Sequence, residues 1–131
     1  MSRVPRSVEH LKTGFTAEAV SAARFRAFAA RAEDDGKPNL ARKWLELAAE
    51  KDSLAILQLQ AAGQVRAVQT NVGEALAEER FENEVLYPKL IRSVDGDTAE
   101  VFEQVVAAQL ETASGLQKLR DALQGSSGDI P

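Results

Sequence analysis

Five glutamates stand out by their spacing. Glu18 precedes Glu50 by 32 residues and Glu79 precedes Glu111 by the same 32, so one pair follows the other at an offset of 61. Glu82 follows Glu79 by three, which puts both carboxylates on one face of a helix. Each later glutamate has a serine three positions on: Ser53 after Glu50, Ser114 after Glu111. Their helical neighbours are mostly apolar or small: Ser21 and Ala22 beside Glu18, Leu47 and Leu54 beside Glu50, Leu76 and Leu86 beside Glu79 and Glu82, Ala107 and Ala108 beside Glu111. Such surroundings predict carboxylates turned inward, and several carboxylates cannot all stay ionised in a core without cations. Two divalent ions would offset four of the charges, which is the logic of dinuclear carboxylate sites in helical bundles. The competing reading is a set of solvated surface glutamates, the usual state of a helical Glu.

The elements that would position these residues are helices. Glycine-containing polar stretches punctuate the chain at Asp34-Asp35-Gly36-Lys37-Pro38, Gly63, Asp95-Gly96-Asp97 and Gly125-Ser126-Ser127-Gly128. Between them the segments are rich in strong helix formers, and apolar residues recur at three and four, as in Leu40, Trp44, Leu47, Leu54 and Leu57. The pattern predicts helices over 16–33, 38–62, 71–93 and 98–124. Thr16, Pro38, Asn71-x-x-Glu74 and Asp97-x-x-Glu100 serve as start signals, and Pro88 as a kink. The short turns at Gly36 and Gly96 make two antiparallel hairpins. Glu18 and Glu50 are equidistant from position 34, and Glu79 and Glu111 from position 95, so each pair is level, about 24 Å from its turn. The connection from Gly63 to Thr70 reaches at most about 26 Å, enough to run back along a bundle or to let two chains exchange hairpins. The expected fold is all-α: one domain over 1–131, a four-helix bundle of two hairpins with its helical core at 16–124 and a disordered tail at 125–131.

Composition narrows the chemistry further. A chain of 131 residues with 44% hydrophobic and 27% charged residues is sized and composed like one soluble domain. Sixteen Lys and Arg against twenty Asp and Glu give a net charge of -4, with the basic residues scattered, so nucleic acid is not an expected partner. The absence of cysteine removes disulfides, iron–sulfur clusters, thiolate zinc sites and cysteine nucleophiles together. Metal ligation then falls to carboxylates and to His10, which lies outside the repeat and reads as a solvated terminal residue. Arg3, Arg6, Glu9 and Lys12 interrupt the first fifteen residues, so they do not read as a signal peptide, and no 18-residue apolar run suggests a membrane span. A cytoplasmic location is expected. Trp44, spaced with Leu40 and Leu47, reads as core packing.

The ordered set of motifs resembles the rubrerythrin branch of the ferritin-like superfamily over about residues 15–120. Thr16-Ala17-Glu18 with Arg24-Phe25 is similar to the family's first helix, and Gly36-Lys37-Pro38-Asn39-Leu40-Ala41-Arg42 to the start of its second. Ala49-Glu50-Lys51, Asn71-Val72-Gly73-Glu74-Ala75-Leu76 and Glu79-x-x-Glu82 followed by Tyr87-Pro88 resemble its second ligand, the start of its third helix and that helix's paired ligands. The resemblance implies a ferritin-like bundle holding two metal ions, iron or manganese, on Glu18, Glu50, Glu79, Glu82 and Glu111, with Tyr87 donating a hydrogen bond to a ligand carboxylate. It departs from the family at Ser53 and Ser114, where rubrerythrins carry ligand histidines. The two serines read either as hydroxyls bonding back to the carbonyl four residues earlier or as a changed, oxygen-only ligand set.

By resemblance the metals would cycle between divalent and trivalent states while peroxide or oxygen is reduced. Without a cysteine-bearing rubredoxin domain, the electrons would come from a separate protein. Short proteins of this family often pair by exchanging hairpins, which implies a homodimer. Two further readings stay open: a non-redox protein binding another divalent cation, since oxygen ligands suit hard ions, and a metal-free helical scaffold.

Overall fold

In a computed structural model, which describes residues 4–126 and 128–131, secondary structure among the described residues is entirely helical. The helices are α1 (Val4–Asp34), α2 (Pro38–Ala61), α3 (Val68–Phe81), α4 (Tyr87–Arg92) and α5 (Gly96–Gln124), with a five-residue π-helical turn, Glu82–Leu86, joining α3 to α4. The chain divides into two compact units, Met1–Val65 and Arg66–Pro131. The first pairs α1 with α2; the second packs α3, the π turn and α4 against α5.

Glycine ends two of the helices for a steric reason. Gly36 has φ +73 and Gly63 φ +72, in the left-handed region where a Cβ costs about 1–2 kcal/mol. The turned chain satisfies the last carbonyls: Lys37 N–H donates to Ala32 O at 2.8 Å and Gly36 N–H to Glu33 O at 2.9 Å, and Gln64 and Gly63 repeat the arrangement on Leu59 and Gln60. Pro38 begins α2, as expected.

Three start signals act differently from expectation. Helix α1 runs twelve residues upstream of Thr16, whose hydroxyl donates to Lys12 O at 3.0 Å inside the helix instead of capping it. The residues preceding α3 and α5, Ala67 and Asp95, make no side-chain cap. Asn71 and Glu74 instead clamp the connection: Asn71 accepts from Arg66 N at 2.8 Å, donates to Arg66 O at 2.9 Å, and Glu74 pairs with the Arg66 guanidinium. The kink expected at Pro88 takes the form of the π turn. Proline lacks an N–H and its ring crowds the carbonyl four residues back, so the preceding backbone widens and Tyr87 N–H bonds to Glu82 O, five residues away.

Past Gln124 the described residues hold neither helix nor strand, but they are tied by local bonds: Gly128 N–H to Ser126 Oγ at 3.1 Å and Ser126 Oγ to Asp129 O at 3.1 Å. The expectation of disorder at position 127, like the part of the domain assignment at 1–3, lies outside the described residues.

The first hairpin is built on alanine. Ala22 and Ala29 in α1, and Ala41, Ala48, Ala55 and Ala62 in and after α2, recur every seven residues and are all buried. Methyl groups on the seam let the two helices pack closely along the hairpin. Between the alanines of α2 stand Trp44, Lys51 and Gln58. Trp44 packs on Ala29, Ala32 and Ala41, with its ring 5.1 Å from Phe25 and 5.2 Å from Phe28, so it is core, as expected. Gln58 occupies the space that the missing side chain of Gly14 leaves.

A close-packed alanine seam buries little area. Among the described residues the buried apolar set is seven alanines and Leu76, while Leu40, Leu47, Leu54, Leu57, Phe81, Val101 and Leu110 are exposed. Much large apolar surface thus lies outside the alanine seam.

Candidate metal centre

Glu18 lies on the α1 seam, one turn before Ala22, and its side chain is 24% exposed. Its Oε2 is fully buried and lies 2.9 Å from Lys51 Nζ, an ion pair without hydrogen-bond alignment. The level placement read from the spacing holds, since Lys51 adjoins Glu50. Yet it is Lys51 that occupies the α2 seam, and Glu50, one residue and about 100° round the helix, is exposed. Asp52 is held by Arg26 at 2.7 Å. Ser53 is exposed, and its hydroxyl donates to Ala49 O at 3.2 Å, the back-bonded arrangement anticipated for it.

In the second hairpin, Glu79 and Glu82 are half-buried and Glu111 and Ser114 are exposed. Glu79 Oε2 is fully buried with no hydrogen-bond donor. Glu82 Oε1 accepts from Gln109 Nε2 at 2.9 Å, a bond between the π turn and α5. Asn83, beside Glu82 and four residues from Glu79, is 9% exposed; its Oδ1, like Gln109 Oε1, is buried and receives no hydrogen bond. Tyr87 is half-buried with its ring 5.9 Å from Phe102. His10 is exposed.

Lys51, Asn83 and Gln109 were not among the residues singled out by the glutamate spacing. Heptad positions would have found two of them: Lys51 interrupts the alanines of α2, and Gln109 interrupts the half-buried run Ala99, Phe102, Val106, Ala113 and Leu116 of α5. A cavity of about 350 Å³ in the second hairpin, bounded by Thr70, Gly73, Arg120 and Leu123 among others, contains none of the five glutamates.

The donor chemistry suits cations unequally in the two hairpins. Among the described residues no three His, Asp or Glu side chains form a group able to hold a metal ion. Around Glu79 the oxygens without donors fit a bound cation, because a buried acceptor lacking a partner is costly and a cation relieves it. Around Glu18 the charge is already met by Lys51, so a metal ion there would have to displace an ammonium group.

No family model matches the chain, and neither does any curated protein or solved structure. Among the described residues no helix is long and apolar enough to cross a membrane.

Proposed function

We propose that the protein is a rubrerythrin-like carboxylate metalloprotein that reduces peroxide or oxygen with electrons from a separate protein, its hairpins combining into a ferritin-like four-helix bundle. One observation carries this reading. Glu18 and Glu79, one of the two pairs that the offset of 61 relates, each bury the Oε2 oxygen completely, while the other pair, Glu50 and Glu111, is exposed. Burial of a carboxylate oxygen at both of these positions is unlike the solvated glutamates of an ordinary helix surface.

In this reading Glu18, Glu50, Glu79, Glu82 and Glu111 hold two iron or manganese ions, which supply the electron transfer when bound. The chain's own residues set the terms of uptake. Lys51 keeps Glu18 compensated in the metal-free protein and must release it on loading. Gln109 holds Glu82 Oε1, leaving that carboxylate's other oxygen for a ligand. Ser53 keeps its hydroxyl on Ala49 and contributes no strong donor. The uncovered leucines of α2 support a homodimer, in which a second copy, seated as a whole or through exchanged hairpins, covers them.

The non-redox reading is favoured by a different observation: the oxygens without donors around Glu79 include two amides, and hard ions such as Mn²⁺, Mg²⁺ or Ca²⁺ suit such oxygen ligands. Peroxide consumption separates the two. Protein loaded with Fe²⁺ and given a chemical reductant should consume peroxide faster than the same iron in buffer, and Glu79→Ala should abolish the gain. Metal binding without peroxide consumption would remove the redox reading and leave the non-redox one.

A further inference from the structure

We infer that the second hairpin contains by itself a site for one hard divalent cation, formed by Glu79, Glu82, Asn83 and Gln109. It shares Glu79 and Glu82 with the dinuclear reading above and goes beyond it in needing no residue of the first hairpin.

Under the offset of 61 the seam alanines of the first hairpin give way to Asn83, Leu90, Phe102, Gln109, Leu116 and Leu123, so two of the six positions become amides. Asn83 corresponds to Ala22 and Gln109 to Ala48, which are 0% and 2% exposed. Where one hairpin closes on alanine, the other places a buried Asn83 and a half-buried Gln109. Buried amides are expected to have their hydrogen bonds satisfied. Here Asn83 Oδ1, Gln109 Oε1 and Glu79 Oε2 are all buried without a donor.

These side chains are linked by covalent and hydrogen-bonded constraint. Glu79 and Asn83, four residues apart, share a helix face. Glu82 adjoins Asn83 in the π turn and is bonded to Gln109 across the hairpin. Because Gln109 presents its N–H to the Glu82 carboxylate, its carbonyl oxygen is left over as an acceptor. The π turn, imposed by Pro88, sets where Glu82 and Asn83 point. Two carboxylates supply a formal charge of −2 and two amide carbonyls supply neutral oxygens, a donor set matched to Mn²⁺, Mg²⁺ or Ca²⁺ and poor for softer ions. A buried amide pair could instead serve only to fix the register of the hairpin, and the experiment separates that role from cation binding.

The test is Mn²⁺ titration of the full chain, followed by the loss of the free-ion electron paramagnetic resonance signal and by melting temperature. The parent should bind Mn²⁺, and its melting temperature should rise with added Mn²⁺. Asn83→Leu and Gln109→Leu should each weaken binding by about tenfold or more, the usual effect of removing a ligand or its support. Asn83→Leu should also melt higher than the parent without metal, since it removes a buried oxygen that lacks a donor, while losing most of the Mn²⁺-induced rise. The double variant Glu18→Ala/Glu50→Ala should still bind one Mn²⁺ per chain, even if the dinuclear reading fails. The proposal is overturned if the parent binds no Mn²⁺, or if both amide variants bind it as tightly as the parent. Loss of all binding in Glu18→Ala/Glu50→Ala would also overturn it, while leaving the dinuclear reading intact.

Discussion

Replacing Ser53 and Ser114 together, as Ser53→His/Ser114→His, is expected to tighten Fe²⁺ binding by about tenfold or more and to speed peroxide consumption with a supplied reductant. The reason is ligand type. Imidazole nitrogen is a borderline donor that retains Fe²⁺ better than carboxylate or water oxygen, and the substitutions place Glu-x-x-His on one helix of each hairpin. Both serines are exposed, so the larger ring meets no packed core within its own hairpin. Ser53 gives up only a back-bond to Ala49 O, which contributes little to helix stability. Any overpacking loss should therefore fall toward the low end of about 1–3 kcal/mol. Anaerobic Fe²⁺ calorimetry and peroxide assays check both effects. A folded double variant with parental affinity and parental turnover would count against an iron site and in favour of a hard-ion site or a scaffold.

The second large effect concerns assembly. Leu40, Leu47 and Leu54 stand seven residues apart on α2, beside the alanine seam, and are 47%, 45% and 39% exposed. A row of leucines at that spacing covers itself by pairing with another helix, and the alanine seam alone buries too little apolar area to stabilise a small chain strongly. The parent should therefore scatter light as a dimer of twice 14.2 kDa at micromolar concentration, with a melting temperature that rises with protein concentration. Leu47→Glu/Leu54→Glu should reduce the mass to one chain and make melting independent of concentration. A parent that stays a single chain throughout would refute the dimer.

Much of the architecture was legible in the sequence, and the reasons are local. Helix type followed from the three-and-four spacing, the hairpin turns from Gly36 and Gly96, the disturbance near Glu82 from Pro88. The start of α1 was misplaced because Thr16 looks like a cap, whereas a threonine hydroxyl inside a helix can donate to the carbonyl four residues back. The level of Glu18 with Glu50 was legible as well. What spacing could not settle was which of two adjacent residues faces the seam, since neighbours on a helix differ by about 100°. Lys51 took that position and left Glu50 outside. Asn83 and Gln109 carry no charge and have only alanines at the repeat-related positions, so nothing in the glutamate pattern pointed to them; their importance lies in the oxygens that packing leaves without donors.

The most direct measurement is elemental analysis of the purified protein after growth with iron and manganese supplied. The parent should carry close to two iron or manganese ions per chain, with a sharp fall in Glu79→Ala while helix content by circular dichroism persists. Protein that carries no metal after such growth and takes up none on reconstitution, with its helices intact, would contradict the dinuclear reading.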